Sequence, residues 1–190
     1  MAVLPIYVYD QAVLKKKARP VQKVDEDLVK FIEDMFETMH KANGVGLAAN
    51  QVGSLQRVVV IDVSGYEGME NVKPLVLLNA RIVGEGEEEV TMEEGCLSLP
   101  ELRDEVERPE KVTVEYQDLD LQKQVIEAEG ILARVLQHEI DHLNGVLFID
   151  RLGTVKRKLL RGRLNKILKG EVEANYPVIV SAQTPEPHMR

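Results

Sequence analysis

Two histidines lie four residues apart in the segment QHEIDH, residues 137–142. On a helix, His138 and His142 project from the same face about one turn apart, so both side chains can reach a single ion. Glu139 lies beside His138 and can handle protons in such a site. This HExxH pattern alone leaves two interpretations equally open: a metal site with a glutamate that handles protons, or an exposed helix that carries two histidines among charged residues.

A catalytic metal site of this type needs a third protein ligand and an open position for water. One protease pattern, HExxHxxGxxH, places a third histidine where this chain has Phe148, which cannot bind a metal. In another protease class a downstream glutamate completes the site. Glu171 and Glu173 are the candidates for that role, but they follow a basic segment and nothing around them resembles a helix that faces His142.

The remaining candidates for a third ligand are two histidines and a cysteine. His40 belongs to an amphipathic segment and His188 to the C-terminal tail, and we interpret both as structural or solvated side chains. Cys96 follows Gly95, where the backbone can approach another element closely. A thiolate binds metals strongly, whereas the alternative for a lone cysteine is a small buried apolar side chain.

The segment GVGLAANQ, residues 44–51, fits the dinucleotide-binding pattern G-x-G-x-x-A through Gly44, Gly46 and Ala49. That pattern requires a buried strand before it and a crossover helix after it. Here an amphipathic helix precedes the segment, and Gly53 leaves little room for a crossover helix. The context therefore argues against a dinucleotide site.

The elements around these segments are predicted from apolar spacing and turn residues. Asp25 caps a helix whose apolar positions recur at helical spacing as far as Gly44. Strands are predicted at residues 57–62, 74–83, 111–118 and 123–130. The run GEGEEE, residues 84–89, is expected to be a loop, a helix from Gly130 carries the histidines, and a basic helix spans about 154–169. Strands and helices without regular alternation indicate an α+β fold.

Length and composition indicate a globular protein. The chain has 190 residues, of which 44% are hydrophobic, enough for one compact domain with its own core. We expect a single catalytic domain over residues 1–170 and a tail over 171–190 that contains an edge strand at YPVIV and frays at its end. No segment is long and apolar enough for a membrane span or has the layout of a secretory signal. Because Cys96 is the only cysteine, no disulfide partner exists, and we expect a reducing, cytoplasmic location.

Charge is distributed unevenly along the chain. The formal net charge is −8, whereas the segment 154–170 contains basic residues and no acidic ones. The basic residues are Lys156, Arg157, Lys158, Arg161, Arg163, Lys166 and Lys169. This asymmetry argues against a protein that coats nucleic acid and leaves one basic helix, which is either a docking element for an anionic partner or an ordinary solvated face.

Three segments together resemble the signature motifs of the peptide deformylase family. They are GVGLAANQ at 44–51, EGCLS at 94–98 and QHEIDH at 137–142, in the order and at separations like those of the family. The resemblance extends over roughly residues 3–152 and includes PELRDEVERPEKV after the cysteine. It implies antiparallel and mixed β-sheets packed around a central helix that carries HExxH, with one N-terminal and one C-terminal helix.

The resemblance also implies an activity and a set of functional residues. Family members hydrolyse the formyl group from the N-terminal formyl-methionine of nascent chains and release formate. By similarity, Cys96, His138 and His142 bind a divalent metal with water in the fourth position, with Fe²⁺ as the usual metal and Zn²⁺ or Ni²⁺ as substitutes. Glu139 matches the general base, and the Gln51 amide and the Leu97 N–H match the donors that stabilise the oxyanion. The matching substrate-binding positions are Gly44, Val45, Gly46, Gly95, Arg103, Ile131, Arg134 and Val135.

One of these positions departs from the family pattern. Arg134 occupies a place on the metal-facing side of the helix that is usually apolar in the family. Our hypothesis is that its methylenes line the rim of the methionine pocket while the guanidinium reaches solvent, and the alternative is that the side chain points away. We expect Gln137 and Asp141 to orient the ligands.

The resemblance also suggests a partner, and two other functional classes compete with it. The basic helix matches a C-terminal helix that some deformylases use to dock near the ribosomal exit tunnel. The competing classes are an HExxH metalloprotease, disfavoured by Phe148 and by the spare cysteine, and a non-catalytic domain that a metal stabilises. Neither competitor explains Gln51 in its glycine-rich segment.

Overall fold

The structure, a computed structural model, describes residues 1–180. Its helices are α1 (Glu26–Lys41), α2 (Gly130–Leu143), α3 (Thr154–Leu159) and α4 (Arg161–Lys169). Its strands are β1 (Ile6–Tyr7), β2 (Gly46–Ala48), β3 (Val58–Ile61), β4 (Leu75–Glu85), β5 (Glu89–Cys96), β6 (Leu99–Pro109), β7 (Lys111–Gln117), β8 (Lys123–Glu129) and β9 (Val178–Ile179). Short 3₁₀ helices lie at Ala12–Lys15, Ala49–Val52 and Phe148–Arg151.

Helix α2 is the centre of the molecule. Every residue from Ala133 to Leu143 is buried, including the polar ones. One of its faces packs through Leu136 and Ile140 on a five-stranded sheet of order β2-β3-β4-β7-β8. All neighbours in this sheet are antiparallel, and the β5–β6 hairpin lies in the chain between the neighbouring strands β4 and β7. The predicted α+β fold around a central helix is confirmed.

Helix α1 forms where the sequence predicts it. Asp25 caps it, since its side chain accepts a hydrogen bond from the Leu28 N–H at 3.1 Å. The helix ends at Lys41, and Asn43 then adopts a left-handed backbone conformation with φ 54°. Its buried residues, Leu28, Ile32, Met35 and Met39, pack against β2, β3 and β4. This packing places the start of the GVGLAANQ segment beside α2.

A two-stranded sheet formed by β5 and β6 carries the cysteine. The strands pair from Glu89 opposite Pro109 to Gly95 opposite Arg103, after which a register shift brings Cys96 opposite Leu99. The sequence analysis did not predict this hairpin. The run GEGEEE, expected to be a loop, lies partly in the ends of β4 and β5, so only residues 86–88 connect the two strands.

The basic segment is two helices rather than the single helix predicted. Helices α3 and α4 meet at Leu160. Leu160, Leu164 and Ile167 are buried against β6 and the 3₁₀ helix at 148–151, whereas α3 buries no residue. The break lies at Leu160, whose ψ of −12° departs from the value of a regular α-helix.

After α4 the chain returns to its N-terminal end. Strand β9 pairs in parallel with β1, with Val178 opposite Ile6 and Ile179 opposite Tyr7. This strand lies within the segment YPVIV, where the sequence predicts one. The fraying predicted for the end of the tail concerns residues 181–190, which lie outside the described residues. No helix within residues 1–180 is long and apolar enough to cross a membrane.

Candidate metal centre and cleft

Three candidate ligands meet between α2 and the end of β5. The Cys96 Sγ lies 3.2 Å from the His142 Nε2, which lies 3.2 Å from the His138 Nε2. All three ligand atoms lie within 4.8 Å of one another. Ligands that surround one tetrahedral ion are roughly 3 to 4 Å apart, because each is about 2.0–2.3 Å from the metal. A thiolate with two imidazoles is a donor set suited to Fe²⁺, Zn²⁺ or Ni²⁺. The arrangement therefore fits a single divalent cation.

Within this cluster the pKa values of the two histidines are shifted in opposite directions. Burial would lower the pKa of His138, but Cys96 and Glu94 outweigh burial and raise that pKa well above its usual value. Burial and the neighbouring His138 hold the pKa of His142 well below its usual value. The cluster therefore carries its positive charge on His138. A bound cation would replace the proton that carries this charge.

Glu94 orients one of the histidines, a role that the sequence analysis did not assign. The His138 Nδ1–H donates to the Glu94 Oε2 at 2.9 Å, which leaves the Nε2 to face Cys96 and His142. Burial would raise the pKa of Glu94, but its hydrogen bonds with His138 and Arg108 hold that pKa well below its usual value. Glu94 belongs to the EGCLS motif, and its place in that motif was the sequence signal from which this role could have been inferred.

Arg108 anchors this carboxylate from the opposite side. Its guanidinium binds both Glu94 oxygens, at 2.6 and 2.9 Å, and the Asp141 Oδ2 at 2.7 Å. The Arg108 side chain has no exposed surface. Arg151 also binds Asp141, at 2.5 and 2.6 Å. Asp141 is thus linked to His138 through Arg108 and Glu94, while the Gln137 amide donates to the carbonyls of Pro109 and Ala133.

Arg134 does not reach solvent, so that part of the hypothesis for this residue is wrong. It is 5% exposed, and its guanidinium donates to the Glu94 Oε1 at 2.9 Å and to the Val106 carbonyl at 2.7 Å. The Val90 carbonyl accepts a further hydrogen bond at 2.5 Å. A buried carboxylate and two strand carbonyls satisfy the charge internally, which the sequence could not indicate. The alternative that Arg134 points away is also wrong, because the side chain borders the cleft.

Gln51 is held with its amide nitrogen towards the cluster. Its Oε1 accepts a hydrogen bond from the Ala48 N–H at 2.9 Å, so the Nε2 must point the other way. That nitrogen lies 3.2 Å from the Ser98 Oγ and 3.6 Å from the Cys96 Sγ. The 3₁₀ helix at Ala49–Val52 thus presents a fixed donor beside the sulfur.

Glu139 lies in the same cleft with an unused oxygen. The residue is 5% exposed, and its Oε2 has no hydrogen-bond partner among residues 1–180. Burial raises the pKa of Glu139 to about 7. A buried carboxylate oxygen without a partner is costly and marks a position where a water or substrate group is expected.

Two glycines make room for these side chains. A Cβ added at Gly46 would lie 2.5 Å from the Glu139 Oε1 and 2.8 Å from its Cγ. A Cβ added at Gly44 would lie 2.9 Å from the Leu97 Cδ1. The glycines therefore allow close approach of protein side chains, in addition to matching substrate-binding positions of the family.

We expect Gly46→Ala to lower kcat by about 100-fold, because the new methyl group displaces Glu139 by a fraction of an ångström or more. The measurement is formate release from a formylated peptide, the activity that the sequence resemblance implies. Gly65→Ala is the matched control, since a Cβ there meets nothing within 4 Å. Equal rates for both variants would exclude the steric role of Gly46.

A cleft of about 360 Å³ opens over the ligands. Every predicted substrate-binding residue borders it: Gly44, Val45, Gly46, Gly95, Arg103, Ile131, Arg134 and Val135. Gln51, Cys96, Leu97, His138 and Glu139 also border it. Its volume suits a short peptide end or a comparable small ligand. Tyr66 and Tyr176 are further lining residues that the sequence analysis did not single out.

The other ligand candidates lie elsewhere. The Phe148 ring stacks on His138 with a centroid distance of 6.1 Å, so it forms an apolar wall where a protease would have its third histidine. His40 is exposed and pairs with Asp62 at 2.9 Å, apart from the cluster of candidate ligands. Glu171 and Glu173 are exposed and stand apart from the cluster, and His188 lies outside the described residues.

Comparisons with known proteins agree on one family. A model described as polypeptide deformylase matches residues 3–158. A peptide deformylase of Salinibacter ruber is 47% identical over 184 residues, with 93% of this chain and 94% of the relative covered. A crystal structure of a peptide deformylase from Legionella pneumophila is 41% identical with a TM-score of 0.81 and covers 97% of this chain and 100% of that chain. The Ehrlichia chaffeensis peptide deformylase, solved in complex with actinonin, has a TM-score of 0.80 at 40% identity, with 90% of this chain and 99% of that chain covered.

Proposed function

Because the chain belongs to the polypeptide deformylase family, we infer that the cleft over Cys96, His138 and His142 is its active site. Members of the family are enzymes that remove the N-formyl group from nascent peptides, and this is the function of the chain. The HExxH protease is not favoured, since Phe148 stacks on His138 instead of supplying a third histidine. The proposals below concern the metal, the roles of individual residues and the partners.

One observation carries the assignment of the active site. A Cys/His/His ligand set and an unpartnered glutamate oxygen meet in one cleft, which is the composition of a hydrolytic metal centre with an open position. We propose Fe²⁺ as the metal, with Zn²⁺ or Ni²⁺ as substitutes. A divalent cation held by these residues supplies Lewis-acid activation of water and of the formyl carbonyl.

We propose that Glu139 is the general base. It accepts the proton of the attacking water at its free Oε2 and later delivers that proton to the leaving amine. Its burial excludes bulk water from this exchange, and Gly46 allows the carboxylate to stay beside β2.

We propose that two donors stabilise the negative charge that develops on the formyl oxygen. They are the Gln51 side-chain amide and the Leu97 backbone N–H. The hydrogen bond from Ala48 fixes the Gln51 amide before substrate arrives, so no reorganisation is needed during the reaction. The substrate lies along Gly44, Val45, Gly46, Gly95 and Arg103, with its methionine side chain towards Ile131, Arg134 and Val135.

The test is formate release from formyl-Met-Ala-Ser by protein loaded anaerobically with Fe²⁺, compared with Zn²⁺ and Ni²⁺. We expect formate from the formylated peptide and no cleavage of its internal bonds. The matched substrate is acetyl-Met-Ala-Ser, in which a protease would still cut the peptide bonds. Cleavage of the Met–Ala bond in both peptides, without formate, would refute the assignment. A faster reaction with Zn²⁺ than with Fe²⁺ would refute the proposed metal.

We also propose that α3 and α4 dock on the ribosome. Their basic side chains are exposed, and Val155 and Leu159, one helical turn apart, are 74% and 78% exposed. A basic face with two exposed apolar residues suits an anionic surface that also offers an apolar contact. Docking there would place the cleft near emerging peptides.

We expect the triple change Lys158→Glu, Arg161→Glu and Lys166→Glu to abolish salt-dependent binding to ribosomes and to leave activity on short peptides intact. The control is the equally charged change Lys17→Glu, Lys30→Glu and Lys41→Glu on other exposed surfaces. These changes are preferable to deletion of the helices, which would remove Leu164 and Ile167 from the core. Equal binding of both variants would refute the docking proposal.

Location and domain limits are proposed as well. The lone Cys96 and its proposed role as a thiolate ligand suit a reducing cytoplasm. We propose one catalytic domain over residues 1–170 and a tail over 171–190. The part of this tail that the structure describes packs against the catalytic domain through β9.

A further inference from the structure

The segment that follows α4 returns to the rim of the cleft. Strand β9 is fixed to β1 by hydrogen bonds from the Ile6 N–H to the Pro177 carbonyl, at 2.8 Å, and from the Val8 N–H to the Ile179 carbonyl, at 3.1 Å. Val180 is 4% exposed and belongs to the apolar cluster that includes α4. These contacts hold residues 176–180 in one place, although they lie far along the chain from the metal ligands.

Tyr176 is the residue of this segment that enters the cleft. It is half-buried and lines the cavity that contains Cys96 and Glu139. Its hydroxyl donates a hydrogen bond to the Leu97 carbonyl at 2.9 Å. The partners are 79 residues apart in sequence, so this contact exists only because β9 is in position.

The accepting carbonyl belongs to the turn that follows the metal ligand. Residues Cys96 to Leu99 turn from β5 into β6, and the turn is also held by the Tyr9 N–H, which donates to the Ser98 carbonyl at 2.9 Å. The Gln51 amide reaches the Ser98 Oγ at 3.2 Å. Segments from both ends of the described chain therefore meet at this turn. Tyr9 binds the Ser98 carbonyl and Tyr176 binds the Leu97 carbonyl.

The Leu97 carbonyl and the Leu97 N–H belong to adjacent rigid peptide units joined at one Cα. Fixing the carbonyl limits rotation about that Cα, and the bond to Cys96 limits it from the other side. A hydrogen bond to the carbonyl therefore also sets the direction of the N–H. Without it, the N–H would be aimed less well at a developing charge.

We propose that Tyr176 is a positioning residue for deformylation, because its hydroxyl holds the turn that carries the Leu97 N–H. The proposal rests on the proposed function, in which that N–H stabilises the oxyanion. Tyr176 itself does not touch the reacting atoms. It acts on the transition state through Leu97 and makes the C-terminal segment a part of the active site.

The test is Tyr176→Phe in the metal-loaded, full-length protein. We expect kcat to fall about 5- to 10-fold with KM unchanged within about twofold, because the lost orientation matters only once charge develops. The fall should be equal for formyl-Met-Ala-Ser and for formyl-methionine amide, since both develop the same charge. Tyr116→Phe is the matched control, because Tyr116 is also half-buried, lies outside the cleft, and has a hydroxyl that makes no hydrogen bond within the described part of the chain.

Two results would overturn the proposal. One is unchanged kcat in Tyr176→Phe, or the same change in Tyr116→Phe. The other is a rise in KM for the tripeptide alone, which would mean that the ring only contacts residues after the methionine.

Amide hydrogen exchange supplies a readout that does not depend on turnover. We expect faster exchange in the peptide that contains residues 96–99 in Tyr176→Phe, with the same metal content and the same unfolding midpoint as the unchanged protein. If the unchanged protein releases no formate, the proposed function fails, and exchange still decides whether Tyr176 holds the turn. Unaltered exchange would show that it does not.

Discussion

Replacing Glu139 by glutamine should lower kcat for formate release by about 10²- to 10⁴-fold, the range typical of lost general acid–base catalysis. Glutamine keeps the shape of the side chain beside Gly46 but cannot take a proton from water. KM and metal content should stay unchanged, because the Glu139 carboxylate makes no hydrogen bond with the proposed ligands and its Oε2 is unpartnered within residues 1–180. The measurement is steady-state formate release with the metal content of each sample determined.

The matched control for this change is Glu93→Gln. Glu93 borders the same cleft but is exposed and pairs only loosely with Arg103, at 3.4 Å. We expect its kcat to stay within about twofold, since solvent screens an exposed carboxylate and no proton transfer depends on it. If Glu139→Gln retained activity close to that of Glu93→Gln, Glu139 would not be the base.

Replacing Arg108 by methionine should lower the free energy of unfolding by about 3–5 kcal/mol, as expected when one partner of a buried ion pair is removed. The side chain is fully buried and binds two carboxylates, Glu94 and Asp141. Methionine fills a similar volume but leaves hydrogen-bond acceptors on both carboxylates without this donor. For a chain of this size such a loss corresponds to a fall in Tm of roughly 10 °C.

Urea unfolding with and without saturating cation separates this loss of stability from any loss of metal affinity. Arg81→Met is the control, because Arg81 pairs with Glu115 at 2.6 Å on an exposed face of the sheet. Solvent screens that pair, and its removal should leave the unfolding midpoint nearly unchanged. An Arg108 variant as stable as the Arg81 variant would show that the buried network contributes little.

Residue spacing along the chain predicted the two histidines of the site and the start of α1. The spacing of His138 and His142 fixes them to one face of a helix, and α2 places both beside Cys96. The capping residue Asp25 marked the start of α1 correctly. In each case the controlling interaction lies within a few residues, where sequence periodicity is informative.

Contacts between distant segments could not be predicted in this way. Arg134 turned inward because Glu94, 40 residues away, accepts its hydrogen bond. Arg108 forms an ion pair with Asp141, 33 residues away in sequence, and no spacing rule predicts such a pair. The β5–β6 hairpin was not predicted because β5 is rich in acidic residues. Its inward positions are only partly apolar, so the alternation that indicates a strand is weak. Such pairings depend on how the sheets assemble, which a single sequence does not reveal.

The position of the ligands on two different elements has a consequence for how the protein loses its metal. His138 and His142 lie on α2, which is buried on all sides and opens only when the whole fold opens. Cys96 is the last residue of β5, at the turn into β6, and a turn opens locally at lower cost than a buried helix. If Cys96, His138 and His142 hold the cation as proposed, we expect its release to begin at the sulfur and to be slowed by the hydrogen bonds from Tyr9 and Tyr176 to this turn.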